Sequence, residues 1–324
     1  MFQPLVQDIR DPASELGFTE LDYLVISGDL TQRGQPSEFE RVHRFLEKLM
    51  ESFGLSPERT LIVPGNHDLS WETQVYDWVP ERKVQQSALK PGSWRREGTG
   101  YLIRDDVRYG QRFENFARFY NERMHQIYPL EPEEQGLTVL GERDGIQFLG
   151  LNSAWEIDEY FKDRSSVHPG ALARVLNRAN QQAQDAVRDG RLNAERALLR
   201  IALWHHPPTG NDKIYSDAFV DQLRKFNVRL CLHGHVHEDR ADVIRYTDPR
   251  KLYVTGAGSF GAVASDRPES TPRLYNVLEV LPDRTRIRIH TRCMRKGGGA
   301  WEGWAVWPGE NKGERRIYYE IPLD

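Results

Sequence analysis

The chain has 324 residues, of which 39% are hydrophobic and 28% are charged. That composition is typical of a globular protein, and the length suits one large α/β domain or two smaller domains. The formal net charge of -4 argues against nucleic acid or an anionic membrane as the main partner, because both attract basic surfaces.

Cysteine usage and apolar runs bear on where the protein works. Cys231 and Cys293 are the only cysteines, and two thiols in a chain of this size do not form a disulfide framework. The residues after Met1 lack the basic and apolar pattern of a secretory signal, and no apolar stretch reaches the roughly 20 residues of a membrane helix. We therefore expect a cytoplasmic protein without a membrane segment.

The first recognisable elements are two strands joined by a helix. Residues 21–27 form an apolar run that predicts a buried strand, and residues 61–63 predict a second one. Between them, apolar residues recur at helical spacing from Phe39 to Phe53, and Gly54 marks the end of the helix. A strand, a helix and a strand with short connections form a βαβ unit, so we expect the two strands to be parallel neighbours.

Residues 70–145 differ from the segment that precedes them. They are rich in charged residues, tryptophan and tyrosine, and they contain one clear helix near residues 110–128. We expect this segment to be an inserted cap, or substrate region, that lies over the site rather than forming part of the central sheet.

The second half of the chain predicts further strands and helices, and we interpret residues 1–324 as one domain. Strands are predicted at 147–152, 199–204 and 228–232, and helices near 170–188 and 216–226. The pattern then changes to strands at 252–256, 273–281, 285–292 and 316–322. We interpret residues 252–324 as antiparallel strands of a second sheet.

Four short polar segments each follow the end of a predicted strand. They are Gly28-Asp29, Gly65-Asn66-His67-Asp68, His205-His206-Pro207 and Gly234-His235-Val236-His237. In α/β folds the ligands bind at the carboxyl ends of the strands, so we expect these segments to meet. A carboxylate, an amide oxygen and several imidazoles suit Mn, Fe or Zn, and Mg to a lesser degree. Together the four segments predict a metal centre.

These segments resemble the GD, GNHD, HxP and GHxH motifs of the calcineurin-like metallophosphoesterases. The resemblance extends to the later strand Tyr253-Val254-Thr255-Gly256-Ala257-Gly258-Ser259. It implies an α/β fold, a four-layer αββα sandwich, with two divalent metal ions at its site. Two cations about 3.5–4 Å apart offset the charge of a phosphodiester and lower the pKa of a water between them, which makes the nucleophile.

The resemblance also implies a role for individual residues. The implied metal ligands are the bridging carboxylate of Asp29, then Asn66, His205 and His235 on one ion, and His237 on the other.

Further roles concern the substrate. The resemblance implies that His67 hydrogen-bonds the phosphate or protonates the leaving group, because an imidazole beside the phosphate can donate a proton to a departing alkoxide. It also implies that Asp68 orients His67. We expect His206 to be a neighbour near the substrate rather than a ligand, because the family uses the first histidine of the pair.

One motif of the family is absent. The family carries Asp-x-His at the end of its first strand, which supplies two ligands to the ion that His237 binds. Here no histidine precedes His43 and no strand-like run precedes residue 21, so we expect the first strand of the sandwich to be missing. Two interpretations stay open: the sequence starts inside the domain, or the protein is a variant with one metal or an altered site. In the variant, Asp8 and Asp11 are candidates in principle to substitute as a ligand.

The function that the resemblance implies is hydrolysis of a phosphodiester by a metal-activated water. Small cyclic nucleotides or nucleotides are the favoured substrates, and Mn²⁺ is the favoured metal. One alternative is a nuclease, against which the acidic net charge counts. Another is a non-catalytic or regulatory module of a larger protein, which the absent motif favours. The sequence makes no prediction of the oligomeric state.

Overall fold

The computed structural model describes residues 2–12, 14–85, 87, 89–195, 198–209, 214, 217–238, 240–245, 251–262, 264–267 and 270–323. Its helices are α1 (Phe2–Arg10), α2 (Pro36–Phe53), α3 (Asp106–Gln111), α4 (Glu114–Met124), α5 (Pro169–Arg188) and α6 (Asp217–Lys225). Its strands are β1 (Leu24–Ile26), β2 (Thr60–Ile62), β3 (Tyr76–Pro80), β4 (Trp94–Glu97), β5 (Gly100–Arg104), β6 (Gly136–Gly141), β7 (Ile146–Leu151), β8 (Leu199–Leu203), β9 (Val228–His233), β10 (Arg240–Arg245), β11 (Lys251–Gly256), β12 (Arg273–Val280), β13 (Arg286–Met294), β14 (Glu302–Gly303), β15 (Trp307–Pro308), β16 (Arg315–Arg316) and β17 (Tyr318–Pro322).

The largest sheet has six strands in the order β10-β11-β9-β8-β7-β6. Its four inner strands are parallel, and the two outer strands, β6 and β10, pair antiparallel. All six residues of β7 are buried, as expected for a strand inside a sheet that is covered on both faces. Helices α5 and α6 share an apolar cluster with β7, β8, β9 and β11, and they cover one face of this sheet.

A second β layer covers the other face. It contains the parallel pair β1-β2 and the antiparallel sheet of β12, β13, β14 and β17. The two layers are in contact, because a Cβ built at Gly150 on β7 would lie 3.0 Å from side-chain atoms of Leu61 and Val63. Helices α1, α2 and α4 belong to the apolar cluster of this layer. The fold is therefore the α/β arrangement predicted, with two β layers between helices.

The parallel pairing of β1 with β2 agrees with the βαβ unit predicted from sequence. Residues 24–26 pair in register with residues 60–62. The helix between them, α2, starts at a capping box made by Gln35 and Glu38 and ends at Gly54, which has a φ of 61°. All three residues of β1 are partly exposed, and among the described residues β2 is its single strand partner.

Two boundaries from the sequence are wrong. Strand β11 lies in the largest sheet, parallel to β9, so residues 252–324 do not belong entirely to the second sheet. Strand β6 also lies in the largest sheet, and α4 packs in the main apolar core, so residues 70–145 are not wholly outside the sandwich. The polar composition of the segment concealed β6, which is an outer strand. The helix α4 was predicted, but its place in the main core was not.

The remaining part of the insertion is a three-stranded antiparallel sheet, β3-β5-β4, followed by α3. Buried polar groups connect it to the body of the protein. Arg112 is 2% exposed and donates to the carbonyls of Tyr109 at 2.8 Å and Trp155 at 2.7 Å. Asp158 accepts hydrogen bonds from the hydroxyls of Tyr76 at 2.8 Å and Tyr109 at 3.1 Å. The polar contacts satisfy one another, which burial requires.

The helices also bear on membrane insertion. Within the described part of the chain, none is both long and apolar enough to cross a membrane.

Candidate metal centre

Two glycines let the first two polar loops approach each other. Gly28 has a φ of 94°, and a Cβ there would lie 2.5 Å from the backbone nitrogen of Gly65. A Cβ at Gly65 would overlap the carboxylate of Asp29. Asp29 itself has a φ of 55°, in the left-handed region that aspartate tolerates better than most residues. The Gly-Asp and Gly-Asn pairs of the sequence are therefore required by this close contact.

Asp29 and His205 form the centre of the site. Asp29 Oδ1 accepts a hydrogen bond from the backbone nitrogen of His67 at 2.9 Å, and Asp29 Oδ2 lies 3.1 Å from His205 Nε2. His205 Nδ1 lies 2.6 Å from the carbonyl oxygen of Ser27. Because a carbonyl can only accept, this ring nitrogen carries a proton. The neutral ring therefore presents the lone pair of Nε2 to a carboxylate oxygen.

Two facing acceptors repel each other unless they share a cation, which is either a proton or a metal ion. Burial raises the pKa of Asp29, but the charge and hydrogen bond of His205 outweigh it and leave this pKa below its usual value. Burial lowers the pKa of His205, but the charge of Asp29 outweighs it and leaves this pKa above its usual value. Both directions mean that the pair attracts a positive charge, and a divalent cation competes with the proton for it.

A third ligand atom lies in the same group of loops. Asn66 Oδ1 is buried and has no hydrogen-bond partner among the described residues. Unsatisfied buried acceptors are rare in folded proteins. Because a carboxylate, an amide oxygen and an imidazole are all suitable ligands for a divalent transition metal, these residues fit the metal that the motifs predict.

Three imidazoles meet at the site. One ring nitrogen from each of His205, His206 and His235 lies within 4.8 Å of the others. The ring centroids of His206 and His235 are 4.6 Å apart, and those of His205 and His235 are 5.3 Å apart. The structure thus brings His235 to the predicted site. It also brings His206 there, and the expectation that this residue is a neighbour near the substrate rather than a ligand stays a prediction.

His237 does not belong to the three-histidine group. It has a φ of 54°, and its Nδ1 bonds the carbonyl oxygen of Asp266, which leaves Nε2 as its available nitrogen. Its role as a ligand of a second ion stays a prediction. The suggestion that Asp8 substitutes as a ligand is wrong, because both carboxylate oxygens of Asp8 bond the buried guanidinium of Arg292.

His67 and Asp68 have different partners from those expected. His67 Nδ1 lies 2.9 Å from the carbonyl oxygen of Gln32, so this carbonyl, and not Asp68, orients the ring. The carboxylate of Asp68 instead accepts from the backbone nitrogens of Thr31 and Gly65, both at 2.9 Å. Burial, and then the charge of Asp29, raise the pKa of Asp68 to about 6. Asp68 therefore fixes the two loops that carry the site.

Sequence reasoning missed several residues that support the site. Ser27, Gln32 and Ser153 each bond a site histidine, through a backbone carbonyl or a hydroxyl. Ser153 lies two residues past the end of β7, at the same edge of the sheet as the predicted ligands. The strand-end criterion from which the ligands were predicted also applies to Ser153.

Comparison with known proteins gives a family and one curated relative. A family model described as calcineurin-like phosphoesterase matches residues 2–239. The protein of Bacillus subtilis (strain 168) called uncharacterized metallophosphoesterase-like protein YydB is 25% identical over 247 residues, which are 74% of this chain and 46% of that protein. The chain thus spans about half the length of this relative.

Two solved structures are similar over part or all of the chain. Purple acid phosphatase PPD1 from yellow lupin (Lupinus luteus) seeds is 13% identical with a TM-score of 0.49, covering 99% of this chain and 48% of that one. Zinc-complexed Vps29 from Entamoeba histolytica is 15% identical with a TM-score of 0.24, covering 38% of this chain and 55% of that one. The family model covers residues 2–239, which are most of this chain. The chain therefore belongs to the calcineurin-like phosphoesterase family.

Proposed function

We propose that this chain is a phosphodiesterase that hydrolyses small nucleotide-like phosphodiesters, with cyclic nucleotides first among them. Membership of the family supports a metal-dependent phosphoesterase in general. The observation that carries the proposal is the 3.1 Å contact of two acceptors, Asp29 Oδ2 and His205 Nε2, beside the unpartnered Asn66 Oδ1.

The metal would be held by Asp29, Asn66, His205 and His235. A divalent cation bound there supplies positive charge that offsets the phosphate and lowers the pKa of a water molecule. Mn²⁺ is the favoured ion because the ligands mix oxygen and nitrogen, and Fe, Zn or Mg are alternatives. A second ion, on Asp29 and His237, remains part of the proposal, as does the use of Asp29 as a bridge.

His67 is the proposed proton donor. Its Nδ1 is held by the Gln32 carbonyl, so Nε2 is the nitrogen available for proton transfer. Its backbone nitrogen bonds Asp29 Oδ1, which ties the ring to the residue that would hold the metal. Because Nδ1 donates to a carbonyl, Nε2 carries a transferable proton only in the imidazolium form of His67. That form would deliver the proton to the departing alkoxide and remain as a neutral ring with its proton on Nδ1, which avoids the release of a strong base into the site.

Three further expectations belong to this proposal. They are a small phosphodiester or nucleotide as the partner, a cytoplasmic location, and a single domain in which the β3-β5-β4 region caps the site. A nuclease and a non-catalytic module are the alternatives that experiment must separate from it.

The test compares metal content with turnover. We expect the purified chain to bind Mn²⁺ and to hydrolyse bis-p-nitrophenyl phosphate. His67→Ala should keep its metal and lose roughly 10²–10⁴-fold in turnover, the usual contribution of a general acid. His205→Ala should lose the metal, because it removes a buried ligand.

Each outcome separates the candidate functions. Cleavage of cyclic nucleotides supports the proposal, whereas cleavage of single-stranded DNA alone favours the nuclease. Metal binding without any turnover favours the non-catalytic module. Loss of metal from His67→Ala would show that His67 is a ligand and not the proton donor.

A further inference from the structure

Ser153 makes three polar contacts with the adjacent pair of histidines. Its Oγ lies 3.2 Å from the backbone nitrogen of His205, 3.0 Å from the backbone nitrogen of His206 and 2.8 Å from His206 Nδ1. Ser153 is fully buried, and His206 is 2% exposed. These contacts are therefore fixed by the protein and are not shared with bulk solvent.

The three contacts determine which ring nitrogen of His206 carries a proton. A hydroxyl has two lone pairs and one hydrogen. The two backbone N–H groups occupy both lone pairs of Ser153 Oγ, so its hydrogen is the one left for His206 Nδ1. A ring nitrogen that accepts this hydrogen carries none of its own, and the proton of the neutral imidazole is then on Nε2.

The neighbouring histidine has the opposite arrangement. His205 donates from Nδ1 to the carbonyl of Ser27 and presents a lone pair at Nε2. His206 presents an N–H at Nε2. The two rings are nearly perpendicular, at 89°, with centroids 4.9 Å apart. Consecutive residues of one loop thus offer a ligand for a cation and a hydrogen-bond donor for an anion.

We propose that His206 is the oxyanion-binding residue of this site: its Nε2–H donates to a phosphoryl oxygen beside the cation that His205 holds, and Ser153 is the positioning residue that sets this tautomer. The identity of the anion as substrate phosphate rests on the proposed function, whereas the tautomer rests on the contacts of Ser153 alone. The inference also explains why a third imidazole lies next to His205 and His235.

The competing role for His206 is that of an additional metal ligand. That role needs a lone pair on Nε2 and a proton on Nδ1. Ser153 Oγ would then receive three N–H groups with two lone pairs, and its own hydrogen would have no partner in these contacts. The number of donors therefore favours the donor role over the ligand role.

The first experiment observes the tautomers directly. The full chain, labelled with ¹⁵N-histidine and freed of metal by chelation, is studied by long-range ¹H–¹⁵N NMR. We expect the Nε2–H form for His206 and the Nδ1–H form for His205. We also expect Ser153→Ala to remove the preference of His206 for the Nε2–H tautomer and to leave the tautomer of His205 unchanged. An Nδ1–H form of His206 in the unmodified chain would overturn the proposal.

The second experiment separates cation binding from anion binding. Mn²⁺ content is measured first, and then the affinity of the Mn²⁺-loaded chain for inorganic phosphate, by calorimetry. We expect His206→Ala to keep its Mn²⁺ and to bind phosphate roughly 10-fold or more weakly, the loss of one hydrogen bond to a charged group. His206→Gln should recover part of the affinity, because its amide can donate. His205→Ala is the control that loses Mn²⁺.

The remaining outcomes are also decisive. Loss of Mn²⁺ from His206→Ala would make His206 a ligand, and unchanged phosphate affinity would leave it with a packing role. Both results overturn the proposal. If the chain hydrolyses no phosphodiester while His206→Ala still weakens phosphate binding, the proposed function fails and this inference stands.

Discussion

Asp68 joins the two loops that carry Asp29 and Asn66 in the candidate metal site. It is fully buried, and its two carboxylate oxygens accept from the backbone nitrogens of Thr31 and Gly65. These nitrogens belong to the loops that follow β1 and β2. The carboxylate therefore fixes the distance between the loops of Asp29 and Asn66, the two oxygen ligands that we propose for the metal.

Removal of this carboxylate should destabilise the protein measurably. Asp68→Ala leaves two buried N–H groups without acceptors, and each such group costs about 1–3 kcal/mol. We expect a loss of about 3 kcal/mol in the free energy of unfolding, measured by urea denaturation. Asp163→Ala, which removes an exposed carboxylate, is the control and should change stability by less than about 0.5 kcal/mol. A loss below about 1 kcal/mol for Asp68→Ala would contradict the argument.

The candidate ligands of the site were easier to bring together from the sequence than the residues that hold them. Asp29, Asn66 and His205 follow strands, and the ends of parallel strands meet at one edge, so sequence order is enough to bring them together. The partner of His205 Nδ1 is a carbonyl 178 positions away. A backbone carbonyl has no sequence signature, and its selection depends on how the two β layers stack. The bond of His67 Nδ1 to the backbone carbonyl of Gln32 likewise has no sequence signature.

At the scale of elements, burial separates the strands that were predicted from those that were missed. The inner strands β7, β8 and β9 are almost entirely buried and appear in the sequence as apolar runs. The outer strand β10 and the short strands β4 and β16 carry arginines and exposed residues. Such strands are stabilised by pairing with a neighbour and not by their own apolar pattern, so local sequence does not predict them.

Helix α1 is joined to the second β layer by an ion pair that is buried. Asp8 accepts from Arg292 Nε at 2.9 Å and from Nη2 at 2.5 Å. Arg292 is 2% exposed and Asp8 is 7% exposed. Tyr275 donates to the same carboxylate. A nine-residue helix is marginal in isolation, so these contacts and the apolar face of α1 hold it in place.

Breaking this pair should release α1. A buried ion pair that loses one partner destabilises a protein by roughly 3–5 kcal/mol, because the other charge stays buried. We expect Asp8→Ala to lower the free energy of unfolding, measured by urea denaturation, by an amount in this range. We also expect the amide hydrogens of residues 2–10 to exchange faster. The double variant Asp8→Leu with Arg292→Met should recover most of the loss, because it removes both buried charges. Glu15, which also bonds Arg292, loses this partner but is 53% exposed and is hydrated instead. If the loss of unfolding free energy in the double variant equals the sum of the losses in the two single variants, the proposed coupling between Asp8 and Arg292 is wrong.

For the molecule as a whole, the order of the chain and the order in space differ widely. Helix α1 begins the chain, yet it bonds β13 near the end, across 284 positions. The two β layers each take strands from distant parts of the sequence. The sequence pattern predicted β11 as a strand, but the layer of β11 follows from its pairing with β9 and was misjudged. Pairing partners at this separation are selected by three-dimensional packing that local patterns do not encode.

The pH dependence of stability should contain a contribution from His290 on β13. Its Nε2 lies 3.1 Å from Glu279 Oε2. Burial lowers the pKa of His290 and outweighs the opposing charge of Glu279, so the pKa lies below its ordinary value of 6.5. The native state then binds fewer protons at this ring than the unfolded state does. This contribution to stability is complete above the unfolded pKa and is lost as the pH falls through the folded pKa.

The measurement compares two variants across this range. Urea denaturation from about pH 7 to about pH 5, with a chelator present, gives the slope of the unfolding free energy against pH. We expect a smaller loss of stability on acidification for His290→Gln than for the unmodified chain, because glutamine does not titrate. His125→Asn is the control, since it replaces an exposed histidine at a positive φ that asparagine accepts. A steeper loss in His290→Gln would require the opposite pKa direction, because only a ring that binds its proton more tightly when folded stabilises the native state as the pH falls.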